Sequence, residues 1–166
     1  IGEDAAWNLG TSVTAVSFST PDLTPPVLSS VGVRDATETT AAFSAISNEN
    51  GRVYIKVLVA ADAPPTSAEM KVSGDVLAVS SGIAGSFQLT GLVEWTDYTA
   101  YAIAEDAAGN LGTSMTAVSF KTSDDTPPVL SSVGVSDAME TTATFSATSN
   151  ENGRVYIEVE CTSRPI

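Results

Sequence analysis

A chain of 166 residues with 20 acidic and 7 basic side chains carries a formal charge of −13 and contains no histidine. Without imidazole, Ser-His-Asp and Cys-His catalysis are excluded, and with a single cysteine so are zinc sites built on His or paired Cys. The acidity sets the chain against phosphate backbones and so against nucleic acid, and no apolar run approaches the ~18 residues of a membrane span.

In chain order, Val27 to Val33 reads as a first strand. Ala41, Phe43 and Ala45 alternate with polar or mixed neighbours and predict a half-buried second strand. Asn48-Glu49-Asn50-Gly51 reads as a tight turn, because Asn-Gly accepts positive φ. Arg52 to Val59 follows, with Val53, Ile55, Val57 and Val59 on one face. Residues 63–70 differ: Thr66 or Ser67 before Ala68-Glu69-Met70 is a cap signal and predicts a single helical turn. Val76–Val79 and Ser86–Leu89 are short strands, and Tyr98–Ala104 is a longer one with Tyr98, Ala100, Ala102 and Ala104 on one face. Ala108-Gly109-Asn110 turns the chain into a last strand, Thr113–Thr122. About seven short strands in about 100 residues predict an all-β, two-sheet sandwich of immunoglobulin-like type.

The chain also repeats itself. Residues 3–57 recur at 105–159 without a gap, offset by 102, and about 45 of the 55 positions are identical. Solenoid repeats have periods of roughly 20–50 residues, so a period of 102 is that of a whole small domain. On this reading residues 1–23 end one bead, 24–125 form a complete bead, and 126–159 begin the next. Thr24-Pro25-Pro26 and Thr126-Pro127-Pro128 mark the junctions. Paired prolines fix φ and make short, stiff connections. Residues 160–166 break the repeat and read as a non-native tail; Cys161 within it is an incidental thiol.

Gly91-Leu92-Val93-Glu94-Trp95-Thr96-Asp97-Tyr98 resembles the Leu-x-x-x-Thr-x-Tyr signature of fibronectin type III domains. Ala104 to Asn110, Ser119-Phe120-Lys121-Thr122 and the following Thr-Pro-Pro are similar to the bacterial branch of that family. The resemblance covers the complete bead and both partial ones. It implies a seven-stranded sandwich, with Tyr98 tying its strand to the preceding loop. It also implies tandem use in surface proteins or as spacers in secreted glycan-degrading enzymes. The Arg-Gly-Asp loop of some animal members is absent, so their adhesion chemistry is not implied.

Several residues are of types that could form sites. Glu105 and Asp106, like Asp124 and Asp125, are adjacent carboxylates, but neighbours on a strand point to opposite faces and make a poor glycosidase pair. Asp106, Asp124 and Asp125 could converge on calcium at a junction between beads; solvated turn acids are the simpler expectation. Trp95 and Tyr101 could stack on sugar, although Trp95 more naturally covers the bottom of the core. The expectation is therefore no catalytic, cofactor or metal residue, and a non-catalytic spacer or stalk of a secreted or surface-anchored bacterial protein. An adhesion or carbohydrate-associated module, or an accessory domain of a polysaccharide hydrolase, is the alternative. The expected partners are neighbouring copies of the repeat, including head-to-tail contact between chains.

Overall fold

The computed structural model describes residues 1–160. They form two compact units, Ile1–Asp124 and the segment from Asp125 onward. The first holds β1 (Leu28–Arg34), β2 (Thr40–Ser47), β3 (Gly51–Val59), α1 (Ser67–Ser73), β4 (Asp75–Val79), β5 (Ala84–Thr90), β6 (Asp97–Asp106) and β7 (Thr116–Lys121). The second holds β8 (Leu130–Ser136) and β9 (Thr144–Ser149).

The first unit is a β-sandwich. One sheet runs β1-β2-β5 and the other β4-β3-β6-β7, with every pairing antiparallel. The alternation seen in the sequence fills the space between them. Ala41, Phe43 and Ala45 of β2 are fully buried and face Val53 and Ile55 of β3 and Ala100, Ala102 and Ala104 of β6. The alanines of β6 leave room for the Phe43 ring, so large meets small across the layer. Burying a ring or branched side chain of this kind contributes about 1.5–3 kcal/mol each. Of the expected β3 face, Val53 and Ile55 are buried, whereas Val59 at the strand end is exposed.

Two expectations need correction. The Asn48–Gly51 turn carries the chain from one sheet to the other, and Gly51 does not use the positive φ expected of it. It is glycine because a Cβ there would overlap the Glu105 carbonyl oxygen and come within 2.8 Å of the Asp106 Cα. The asparagines work through their side chains: Asn48 Oδ1 accepts from the Val27 amide at 2.6 Å, and Asn50 Oδ1 from the Ser81 amide at 2.9 Å. The helix is also longer than the single turn expected. Thr66 caps it and exchanges reciprocal hydrogen bonds with Glu69, and Gly74 N–H closes its end on the Met70 carbonyl.

α1 creates a second core on the outer face of the larger sheet. Met70 is fully buried there against Tyr54 and Ile103, with Tyr101, Leu111 and Met115 around them. The sheet is thus apolar on both faces where the helix covers it.

The second unit repeats local structure residue for residue. β8 and β9 pair in the register of β1 and β2 plus 102, with the same irregularity in the first strand. Ser30 and Ser132 have φ of 50° and 51°, and Asp35 and Asp137 have 53° and 51°. Asn150 Oδ1 holds the Val129 amide at 2.6 Å, as Asn48 holds Val27. Likewise the isolated bridge Glu3–Leu9 repeats Glu105–Leu111. The copy of β3 would make a third strand here, but residues 154–160 form none. β3, whose sequence they copy, is a central strand held between β4 and β6. Residues 11–20, which copy β7 and its approach, are likewise not a strand. A hairpin closes locally, whereas an isolated strand needs a ladder on which to form. Of the expected tail at 160–166, residues 161–166, Cys161 included, lie outside the described residues.

Candidate functional site

β3 and β6 place Arg52 directly opposite Glu105, with Tyr54 one diagonal step along the same outer face. Glu105 is 8% exposed. Its carboxylate accepts from the Tyr54 hydroxyl on one oxygen and from Lys71 Nζ at 2.7 Å on the other, and Arg52 Nε stands 3.9 Å away. The bond from Lys71 first, and that from Tyr54 next, hold the carboxyl below the usual glutamate range. The same contacts push Tyr54 and Lys71 up. A carboxylate held in its charged form is poorly suited to donate a proton near neutral pH. What this cluster does is fasten α1, β3 and β6 to one another.

Asp106, next in sequence, has a different task. Its two oxygens accept from the Asn110 amide at 2.8 Å and the Asn110 side chain at 2.7 Å. Burial opposes its charge, but the bonds from Asn110, Gly109 and Ala108 outweigh it and lower its pKa. Asp4 organises the copied turn in the same way, with Asn8 as partner. Gly109 has φ of 93° there, and Trp7, the residue copied from its place, has 69°. A turn that reforms at residues 3–10 with every side chain exposed is encoded locally.

The three acids considered for calcium do not converge. Asp106 groups with Asp22 and Glu49, and Asp124 with Glu38 and Glu94, each set having carboxylate oxygens within 4.8 Å of one another. The first set lies where β2 and β6 end and β3 begins; the second lies where β1 and β5 end and β6 begins. They therefore occupy opposite ends of the sandwich. Asp125 belongs to the other unit. A hard cation at the first set would have to compete with Asn110 for Asp106.

The aromatic pair is separated too. Tyr101 is half-buried beside the Met70 cluster. Trp95 does not cover the core; it is 66% exposed, at φ of 48°, with Lys121 Nζ 3.7 Å from its ring centroid. The bottom of the sandwich is closed instead by Leu92, Tyr98 and Thr122. Tyr98 Oη accepts from the Val93 amide at 2.9 Å, the tie expected of it, and its ring stacks on Phe120 at 5.6 Å. Thr122 Oγ1 donates to the Val93 carbonyl at 2.7 Å and accepts from the Thr96 amide at 2.9 Å. Sequence reasoning missed this threonine and the Tyr54–Glu105–Lys71 cluster. Both depend on register between elements 26 to 51 residues apart.

The grooves of the first unit add little chemistry. One of about 360 Å³ has Lys56, Asp75, Gln88 and Thr90 on its walls and Leu89 and Tyr98 beside them. Lys56 there donates to Ser73 at 2.9 Å.

No family model matches the chain, and no curated protein matches it in sequence. Among solved structures it is similar to a protein described as a computer-based redesign of a β-sandwich protein, with 19% identity and a TM-score of 0.42. That match covers 63% of this chain and all of the other.

Proposed function

We propose that the chain is a length of non-catalytic spacer or stalk, built of fibronectin type III-like beads, from a secreted or surface-anchored bacterial protein. The observation that carries this reading is the recurrence at 102 residues of both sequence and local conformation, down to the matching φ angles of Ser30 and Ser132. A bead copied so closely repeats its dimensions along with its fold, and repeated dimensions are what a spacer needs. The split into β1-β2-β5 and β4-β3-β6-β7, with Tyr98 tied to Val93, supports the family assignment. The acids with altered proton affinity support a non-catalytic role, since Glu105 and Asp106 are both engaged in holding local structure. A charge of −13 opposes association of rods through their sides and favours solubility.

Small-angle scattering on proteins of one, two and three beads tests the reading. A ten-residue strand such as β6 spans roughly 35 Å, so each added bead should lengthen the particle by about that much. A particle that grows in mass without growing in length would count against a spacer. Glycan binding by residues 24–125 that disappears in Trp95→Ala would favour the carbohydrate-associated module instead. A catalytic domain encoded beside the beads would make them the accessory part of a hydrolase.

A further inference from the structure

A groove of about 370 Å³ runs over β1, β2 and β5, on the face of the smaller sheet turned away from the core. Along β2, Phe43 and Ala45 point into the core, so Ala42, Ser44 and Ile46 line the groove. Ser44 stands between Gly32 of β1 and Ser86 of β5. Its Oγ is buried and has no hydrogen-bond partner among the described residues. Buried hydroxyls left in that state are rare. Beside it the groove is open, since a Cβ built on Gly32 meets nothing within 4 Å. The irregularity in β1 brings Ser30, at φ of 50°, to the same wall. Arg34 is the one charged residue lining the groove. It has no ion pair among the described residues, whereas Arg52 and Lys71 face Glu105 and Lys121 lies over Trp95. The repeat sets this face apart. Residues 28–47 differ from their copies at four positions, and three of these are Arg34, Ala42 and Ile46, replaced by Ser136, Thr144 and Thr148. Every core-facing residue of the same stretch is copied without change.

We infer that this groove binds a carboxylate-bearing sugar, a hexuronic acid of an acidic polysaccharide. Arg34 takes the carboxylate, because a guanidinium presents two parallel donors to it. Ser30, Ser44 and Ser86 supply hydroxyls that both donate and accept, as the hydroxyls of a sugar do. The Ser44 hydroxyl turns about its single side-chain torsion toward a ring lying over Gly32. Ala42 and Ile46 meet the apolar face of that ring. A single cation suits a singly charged group, whereas a phosphate calls for more than one in a chain of charge −13. That net charge repels anions at long range, but charges more than about 8 Å away are screened at physiological salt, so the adjacent Arg34 prevails. An extended peptide fits less well, because β2 is paired on both sides and offers no main-chain ladder on this face. The inference does not rest on the spacer reading: a stalk without the sugar site is still a stalk.

Titration of the 166-residue chain with digalacturonate tests it, followed by amide chemical shifts and calorimetry, with neutral digalactose and a triglutamate peptide as comparators. Digalacturonate should bind saturably and shift amides of β1, β2 and β5. Digalactose should bind roughly tenfold or more weakly, having lost the charge-assisted contact. Arg34→Ala should cost the acidic sugar the same factor, and Arg34→Lys should recover part of it. Ser44→Ala should weaken binding several-fold without lowering the melting temperature, since it removes a hydroxyl that has no partner in the free protein. The triple variant Arg34→Ser, Ala42→Thr, Ile46→Thr carries the face of the copied hairpin, so it should fold and not bind. Gly32→Leu should fill the groove with the same result. Trp95→Ala should leave binding unchanged, which separates this site from an aromatic platform. Absence of saturable binding overturns the inference and leaves the spacer reading standing. Binding that survives both Arg34→Ala and the triple variant also overturns it, as does triglutamate binding as tightly as the sugar. A melting temperature lowered by Ser44→Ala would overturn it too, by showing that the hydroxyl serves the fold.

Discussion

At the scale of single residues, the Tyr54–Glu105–Lys71 cluster ties stability to pH on both sides of neutrality. Glu105 is held below the usual glutamate range, so the stability it adds is fully present above about pH 4–5 and is lost as pH falls through its lowered folded value. Asp106 acts in the same direction. Tyr54 and Lys71 are raised, so what they add is fully present below about pH 10 and is lost as pH rises through their folded values. Glu105→Gln should therefore flatten both limbs of a plot of denaturation midpoint against pH. The acid limb should persist in part, because Asp106 remains; an unchanged alkaline limb would show that the cluster does not bind the proton of Tyr54 as described. Gly51 gives a second residue-scale prediction. Gly51→Ala must displace the Glu105 carbonyl, at a cost on the order of 1–3 kcal/mol for a forced fit. Its copy Gly153 has nothing within 4 Å of a built Cβ, so Gly153→Ala should leave the denaturation midpoint of the bead where it was. Equal effects at the two positions would mean that close backbone approach is not what selects glycine.

At the scale of elements, α1 shows what local signals can and cannot reveal. Thr66 and Glu69 announce a helix start, and the capping box is present as hydrogen bonds in both directions. Nothing local says that Met70 will be fully buried on the outer face of a sheet. The strands follow the same division. Alternation in β2 was legible because every second residue is fully buried, and the repeat carries that segment again as β9. The positive φ expected at Asn50-Gly51 is not used; the glycine is needed for the close approach of the Glu105 carbonyl on β6, which no local signal shows. Trp95 was misplaced because a large apolar ring was expected inside; the smaller Leu92 and Thr122 close that end, and Trp95 holds Lys121 over its face outside. Asp106 and Asp124 are both near a junction in sequence, yet they lie at opposite poles of the sandwich because strand ends alternate between the two, which sequence proximity hides. Removing the helix cap by Thr66→Ala should cost about 1 kcal/mol, while Met70→Ala should cost about 2–5 kcal/mol. Chemical denaturation of both variants should rank them in that order. The reverse order would mean that α1 is held by its ends rather than by its buried side chain.

At the scale of the molecule, the two kinds of copied segment separate local from long-range folding. The turn at residues 3–10 and the hairpin of β8 and β9 keep the conformation of their counterparts without a complete sandwich of their own. Residues 11–20 and 154–160 do not, since β7 is held by pairing with β6, and β3 by pairing with β4 and β6. Cooperativity should therefore reside in residues 24–125, where both sheets are present and both cores are closed. Made alone, that 102-residue bead should unfold in one transition, with an enthalpy of roughly 70 kcal/mol at its midpoint. Its midpoint should not depend on protein concentration. Asn110 loses its hydrogen bond to the Asp22 carbonyl when the head is removed, but it keeps both bonds to Asp106. The melting temperature should therefore stay within a few degrees of that of the whole chain at high dilution, as calorimetry would show. A bead that unfolded gradually on its own, or gained a sharp transition only when residues 1–23 were restored, would place the folding unit across the Pro25-Pro26 junction. The repeat would then no longer mark where one independent domain ends and the next begins.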